Sequence, residues 1–289
     1  MAQAIFRQYD REALDREYNN RAKVADFDRY LRFYASESAH TRQALESRLN
    51  VGYGPSAAER LDIFPAGDSG APVQVFIHGG YWKALSKDDF SFVANAFARC
   101  GGATVVIEYA LIPSVDMDEL VRQCRAALAW VWRNAASFGG DPGRIFVSGH
   151  SAGGHLTAMM VATDWRAFSA GLPADLVKGA CGISGLYDLE PIRLCYLNDD
   201  LKLNKAMAGR NSPVLLARHA QGSLLLPVGA LEGPEYLRQS HDLATAWQNR
   251  GAAPVVWEMQ GEQHFSIVAQ LHDPASELSR AVQRQMGLA

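Results

Sequence analysis

The chain has 289 residues, 48% hydrophobic and 20% charged, a balance ordinary for a soluble globular protein that buries a core of its own. Its formal net charge of −3 gives no electrostatic case for nucleic acid or an anionic membrane surface as partner. No segment reaches the roughly 18 uninterrupted apolar residues of a membrane span. The opening residues are charged almost at once and carry no apolar h-region, so no signal peptide is expected. Cys100, Cys124, Cys181 and Cys195 show no close pairing, which predicts reduced thiols, a cytoplasmic chain and a small-molecule partner. A homodimer is left open.

Residues 1–50 are rich in charges and aromatics with no β-rich run. Tyr18, Phe27, Tyr30, Leu31 and Tyr34 recur near helical spacing. This segment reads as helices laid onto the main body, either as core cover or, in part, as a roof over a substrate pocket. From Arg60 onward strands and helices alternate. Ala71–Ile77 and Ala103–Ile107 read as strands. Met117–Ala136 reads as a long helix, with Leu120, Cys124, Leu128 and Val131 on one face. Arg144–Ser148 is a strand ending at a Gly-rich turn, and a helix follows from His155 to Thr163. Gly179–Ser184, Ser223–Gly229 and Val255–Met259 are three more strands. Pro234–Arg250 and Pro274–Met286 read as helices with proline in the first turn. Near-continuous apolar strands between helices predict a mostly parallel central sheet covered on both faces. One domain over 1–289 is expected, with room for a small cap at about 186–218.

Gly149-His150-Ser151-Ala152-Gly153 is a G-x-S-x-G between an apolar strand and a helix, the context of the nucleophile elbow of α/β-hydrolases. The tight turn needs small residues two positions either side of Ser151, and glycines stand at both. Ser151 is therefore the expected nucleophile. Its partner donors must aim at the oxygen that becomes negative during acyl transfer. One is the backbone N–H of Ala152. The others are expected from His78-Gly79-Gly80-Tyr81-Trp82 after an earlier strand: the N–H groups of Gly80 and Tyr81, with Gly79 setting the turn. The Tyr81 and Trp82 rings are expected to wall the acyl pocket, the other reading being core aromatics.

The fold's chain order is serine, acid, histidine. Of eight histidines, His264 lies in a loop just past the last strand, where the base belongs. The acid should follow Ser223–Val228; Glu232 sits in that loop, Glu235 inside the next helix, and Asp188 one strand earlier is the runner-up. Neither H-E-x-x-H, H-x-x-x-H nor C-x-x-C occurs, so neither metal nor cofactor is expected.

With these residues the chain resembles the kynurenine formamidase (arylformamidase) group of α/β-hydrolases. His78-Gly-Gly-Tyr-Trp82 resembles that group's H-G-G-x-W signature, and Phe138 to His155 its elbow region. Ile183–Leu189, Glu235–Ser240 and Tyr53-Gly54 before Leu61-Asp62-Ile63 are also similar, so the likeness covers most of the chain. It implies Ser151, His264 and the hole at Gly80 and Tyr81 as site residues, and hydrolysis of N-formyl-L-kynurenine to kynurenine and formate. One position departs: the group usually has Asp as its acid, and the matching position here is Glu232. The alternatives are a carboxylesterase or amidase on short acyl groups and, more distantly, a non-catalytic ligand-binding relative. Arg193 and Arg210 are candidates to grip a substrate carboxylate, with surface arginine as the plainer reading of each.

Overall fold

Three helices open the chain in the computed structural model, which describes residues 3–289: α1 (Arg11–Tyr18), α2 (Asn20–Lys23) and α3 (Phe27–Ala44). Asp10 starts the first by accepting the N–H of Ala13 at 2.8 Å. Two strands follow, β1 (Arg48–Gly52) and β2 (Arg60–Phe64). Then come β3 (Ala71–Ile77), α4 (Asn95–Ala98), β4 (Ala103–Ile107), α5 (Met117–Asn134), β5 (Gly140–His150), α6 (Ala152–Val161), α7 (Trp165–Phe168) and β6 (Val177–Ile183). Short helices α8 (Glu190–Leu194), α9 (Asn198–Leu201) and α10 (Lys205–Arg210) fill the region where the sequence leaves room for a cap. The chain ends with β7 (Ser223–Gly229), α11 (Pro234–Trp247), β8 (Val255–Met259), α12 (Ser266–Ala269) and α13 (Glu277–Met286).

The strands form one eight-stranded sheet in the order β1-β2-β4-β3-β5-β6-β7-β8. Strands β3 to β8 are parallel, and β1 and β2 are antiparallel additions at one edge. The period-2 alternation of a strand decides what each face buries. Val73, Val75 and Ile77 enter one core with Leu120, Cys124 and Leu128 of α5. Phe76 between them enters the other, with Phe97 of α4 and Val282 of α13.

Two expectations change here. The last helix begins at Glu277, not Pro274, because the Ser276 side chain caps it by accepting the Ser279 N–H at 3.1 Å. The helical reading of 1–50 stops at Ala44, since β1 begins at Arg48.

The chain steps outward from β3 to β4 and then returns to the other side of β3 as β5. This reversal opens a crevice above the carboxyl ends of β3 and β5, where ligands of open α/β sheets bind. The Gly79-Gly80 loop leaves β3 there and Ser151 leaves β5. No helix among the described residues is long and apolar enough to cross a membrane.

Candidate active site

Ser151 sits between the end of β5 and the start of α6 with φ 58° and ψ −116°, a backbone region a side-chain-bearing residue rarely adopts. Its own N–H donates to Ile183 O at 2.8 Å, which ties the turn to β6. The turn is so tight that a Cβ on Gly153 would collide with the carbonyl oxygens of Ile77 and His78. The sharp bend lifts the Ser151 hydroxyl off the sheet at the N-terminus of α6.

His264 lies in the loop after β8. Its Nε2 is 3.0 Å from Ser151 Oγ. Its Nδ1 donates to Glu232 Oε2 at 2.6 Å. The other carboxylate oxygen, Oε1, accepts from Ser184 Oγ at 2.5 Å and from the Gly229 N–H at 2.7 Å. Serine, histidine and glutamate are all buried. The alternatives for the acid are engaged elsewhere. Glu235 accepts from Tyr18 Oη at 2.8 Å and pairs with Arg238 at 2.7 Å. Asp188 accepts the Glu190 N–H at 3.1 Å and faces Arg238 at 3.4 Å.

Two residues at this centre escaped the sequence reading. Ser184, at the end of β6 with φ 49°, holds the far oxygen of Glu232. His150, the residue before the nucleophile, donates from Nε2 to the carbonyl of His264 at 2.7 Å, with its ring 4.7 Å from the His264 ring. Burial, and then the neighbouring His264, push the His150 pKa well below the usual histidine value, so this ring stays neutral beside the candidate base. Both act through contacts far apart in sequence, and no local motif announces them.

The loop after β3 turns through three successive positive φ angles, Gly80 at 106°, Tyr81 at 49° and Trp82 at 58°. Gly79 must be glycine because a Cβ there would lie 2.8 Å from His150 O and 3.3 Å from Ser151 Cβ. The N–H groups of Gly80, Tyr81 and Ala152 donate to no protein acceptor among the described residues. They are unspent donors close to the serine, the chemistry an oxyanion requires. His78 steadies the root of this loop: its Nε2 donates to Glu108 at 2.9 Å and its ring stacks on Tyr109 at 4.2 Å.

The two rings of the loop part company. Tyr81 lines a cavity of about 330 Å³ that also reaches Ser151, His150, His264 and Phe265. Its hydroxyl is held by Tyr18 O at 2.6 Å and Tyr236 Oη at 2.9 Å. Trp82, expected beside it as a pocket wall, is fully buried and lines no part of that cavity. Its indole N–H donates to His155 Nδ1 at 3.1 Å, the partner a buried tryptophan needs. Trp82 is therefore core, and of the two rings only Tyr81 faces the cavity.

The N-terminal helices do roof the cavity, through Asn20, Arg21, Phe27, Leu31 and Tyr34, and Tyr196 and Leu197 close it from the 186–218 region. Arg193 and Arg210, weighed as candidates to grip a carboxylate but read more plainly as surface arginines, stand outside it: Arg193 pairs with Glu190 and Arg210 with Asp118. No group of three His, Cys, Asp or Glu side chains among the described residues is placed to hold a metal ion.

A strained serine, a histidine in reach of it, a buried carboxylate behind the histidine and unspent N–H groups beside the serine are equipment for acyl transfer. On an eight-stranded, mostly parallel sheet they define a hydrolase of the α/β-hydrolase class. A family model described as BD-FAE matches residues 61–207. A solved protein from Silicibacter sp. tm1040 superimposes with a TM-score of 0.83 and 30% identity, covering 93% of this chain and 98% of that one. Kynurenine formamidase of Danio rerio is 32% identical over 87% of this chain and 86% of its own length. Kynurenine formamidase of Salmo salar is 34% identical over 85% of this chain and 84% of its own. The chain belongs to the kynurenine formamidase family.

Proposed function

We propose that this enzyme hydrolyses N-formyl-L-kynurenine to L-kynurenine and formate, with Ser151, His264 and Glu232 as its catalytic triad. The observation that carries the reading is the Ser151–His264–Glu232 relay opening into a cavity walled by the rings of Phe27, Tyr34, Tyr81, Tyr196 and Phe265, a lining suited to an aryl leaving group. Ser151 Oγ attacks the formyl carbon while His264 Nε2 takes its proton. The oxygen that becomes negative is held by the N–H groups of Gly80, Tyr81 and Ala152. Glu232 fixes the imidazole with Nδ1 protonated and stabilises its cation. His264 then gives its proton to the aryl nitrogen, the C–N bond breaks and the amine leaves. Water, deprotonated by His264, attacks the formyl ester, and formate departs as Ser151 regains its proton.

The substrate in this reading is a small molecule and no cofactor takes part. The four free thiols support a reducing compartment, the cytoplasm. The second reading is a carboxylesterase on short acyl groups, which the same relay serves equally well. Steady-state kinetics on N-formyl-L-kynurenine and on p-nitrophenyl acetate, butyrate and hexanoate separate the two. The formamidase reading expects turnover of formylkynurenine and a fall from acetate to hexanoate, because Tyr81 stands beside the acyl site. A profile peaking at butyrate or longer, with no turnover of formylkynurenine, would leave the esterase.

A further inference from the structure

The cavity beside Ser151 is lined by two cationic side chains, Arg21 and Lys83, and by no aspartate or glutamate. Lys83 is already neutralised by its ion pair with Asp200. Arg21, on α2, makes no ion pair and no side-chain hydrogen bond among the described residues. Its guanidinium lies over the Phe27 ring, 4.7 Å from the centroid. Phe27 is itself held edge-on by Phe265 at 4.8 Å, the residue next to His264. Arg21 is exposed to solvent, lines the cavity and is held there by a cation–π contact that leaves its N–H donors unspent. Tyr196, across the cavity, registers the same charge: burial pushes its hydroxyl up to about 12, and Arg21 pulls the other way.

An unpaired cation in a cavity without carboxylates selects for an anion. A fork of N–H donors suits a carboxylate better than a point charge does. We propose that Arg21 is a specificity residue that binds a carboxylate on the leaving-group side of the substrate, away from the acyl carbon, so that carboxylate-bearing aryl amides and esters are preferred to neutral ones. The inference rests on the acyl-transfer reading of Ser151 and deepens it, since N-formyl-L-kynurenine carries such a carboxylate at the end of its side chain. Arg21 touches neither the serine nor the histidine, and its effect belongs in KM.

Two matched substrate pairs test this in the full-length enzyme. One is N-formyl-L-kynurenine and the neutral 2′-formamidoacetophenone. The other is 3-(2-acetoxyphenyl)propanoate and phenyl acetate. Arg21→Met keeps an apolar stem over Phe27 and removes the charge. The expected result is a rise in KM of about ten- to a hundredfold for the charged member of each pair. The neutral members should stay within about twofold and kcat within about threefold, and Arg21→Lys should fall between. Equal changes in both members of a pair, or none in either, would overturn the assignment. A wild type that cleaves only the acetates would sink the formamidase reading while the ester pair still judges Arg21. Wild-type turnover of formylkynurenine, with Arg21→Met changing the charged and neutral members of each pair alike, would sink Arg21 alone. The product provides a readout independent of turnover: L-kynurenine should bind Arg21→Met about tenfold or more weaker, by calorimetry, and unchanged affinity would also reject the assignment.

Discussion

Replacing Glu232 by glutamine changes one oxygen for an NH₂ group, and the surroundings dictate which way the amide must face. Oε1 accepts from two groups, Ser184 Oγ at 2.5 Å and the Gly229 N–H at 2.7 Å. The Gly229 N–H can only donate, so the oxygen of the introduced amide is held on that side. Its NH₂ then points at His264 Nδ1, which at present donates to Oε2 at 2.6 Å. Two donors cannot face each other at that distance, so the imidazole must move its proton to Nε2. An Nε2–H pointing at Ser151 Oγ cannot accept the serine proton, and this is the wrong tautomer for a base. In a well-studied protease the same acid-to-amide change lowers kcat about 10⁴-fold, which corresponds to about 5.4 kcal/mol of transition-state stabilisation. The expected loss here is roughly 10³–10⁴-fold in kcat on phenyl acetate, with little change in the melting temperature. Glu232→Asp withdraws the carboxylate by one C–C bond, about 1.5 Å, so it cannot hold both Gly229 and His264; its loss should be real but smaller. Asp188→Asn, whose carboxylate faces Arg238, should change kcat by less than about threefold. Glu232→Gln retaining activity within tenfold of wild type, with the fold intact by circular dichroism, would refute this reasoning.

Three further outcomes are expected. Ser151→Ala should lower kcat on the order of 10⁶-fold without unfolding the chain, and an organophosphonate should label Ser151 of the wild type by mass spectrometry; activity within tenfold would remove Ser151 from the reaction. Trp82→Phe strips the N–H from a buried bond to His155 and should cost about 1–3 kcal/mol in chemical denaturation, while the acyl-chain profile stays as in the wild type; a flattened profile would return Trp82 to the pocket wall. Burial lowers His155 to about 4, below its ordinary value near 6.5, so between those values the unfolded chain binds a proton that the folded chain refuses. His155 should therefore contribute nothing to the pH dependence of stability above about pH 6.5 and a fall of up to about 1.4 kcal/mol per pH unit below it, in addition to the fall that buried His150 brings, so that the slope is smaller in His155→Asn; equal slopes in the two proteins would reject the assignment.

The sheet and the placement of Ser151, Glu232 and His264 could be read from sequence because each depends on a local pattern. Apolar runs mark β3 to β8, and the three residues fall in loops after β5, β7 and β8 in a fixed chain order. Elements whose cause is tertiary could not be read. The exposed edge strand β1, Arg48–Gly52, has no buried face and hence no alternation to detect. Neighbouring rings in the loop after β3 go to different places because Tyr81 and Trp82 both have positive φ, which no hydrophobic period foretells. Arg193, Arg210 and Arg21 look alike as letters; only the packing of α2 over Phe27 separates the arginine that faces the cavity from two that pair at the surface.

The BD-FAE match spans 61–207, so it holds the Gly79-Gly80 loop and Ser151 but neither Glu232 nor His264, and none of the N-terminal helices. Those helices are nevertheless bonded into both halves of the centre. Lys23 Nζ donates to the carbonyl of Glu232 at 3.2 Å. The Asn20 amide reaches Tyr81 Oη at 3.0 Å and Tyr236 Oη at 2.6 Å. Tyr18 donates to Glu235, at the start of the helix that follows the Glu232 loop. The roof, the loop after β3 and the Glu232 loop thus form one hydrogen-bonded unit, in which a displaced roof leaves Asn20 without its partners and Tyr81 with Tyr236 alone. The hydrolytic centre can serve many acyl compounds. The roof helices α2 and α3 supply Arg21, Phe27 and Tyr34 to the cavity and are fixed to the loops that carry Tyr81 and Glu232, so a change in the roof should alter substrate preference before it alters the Ser151–His264 contact.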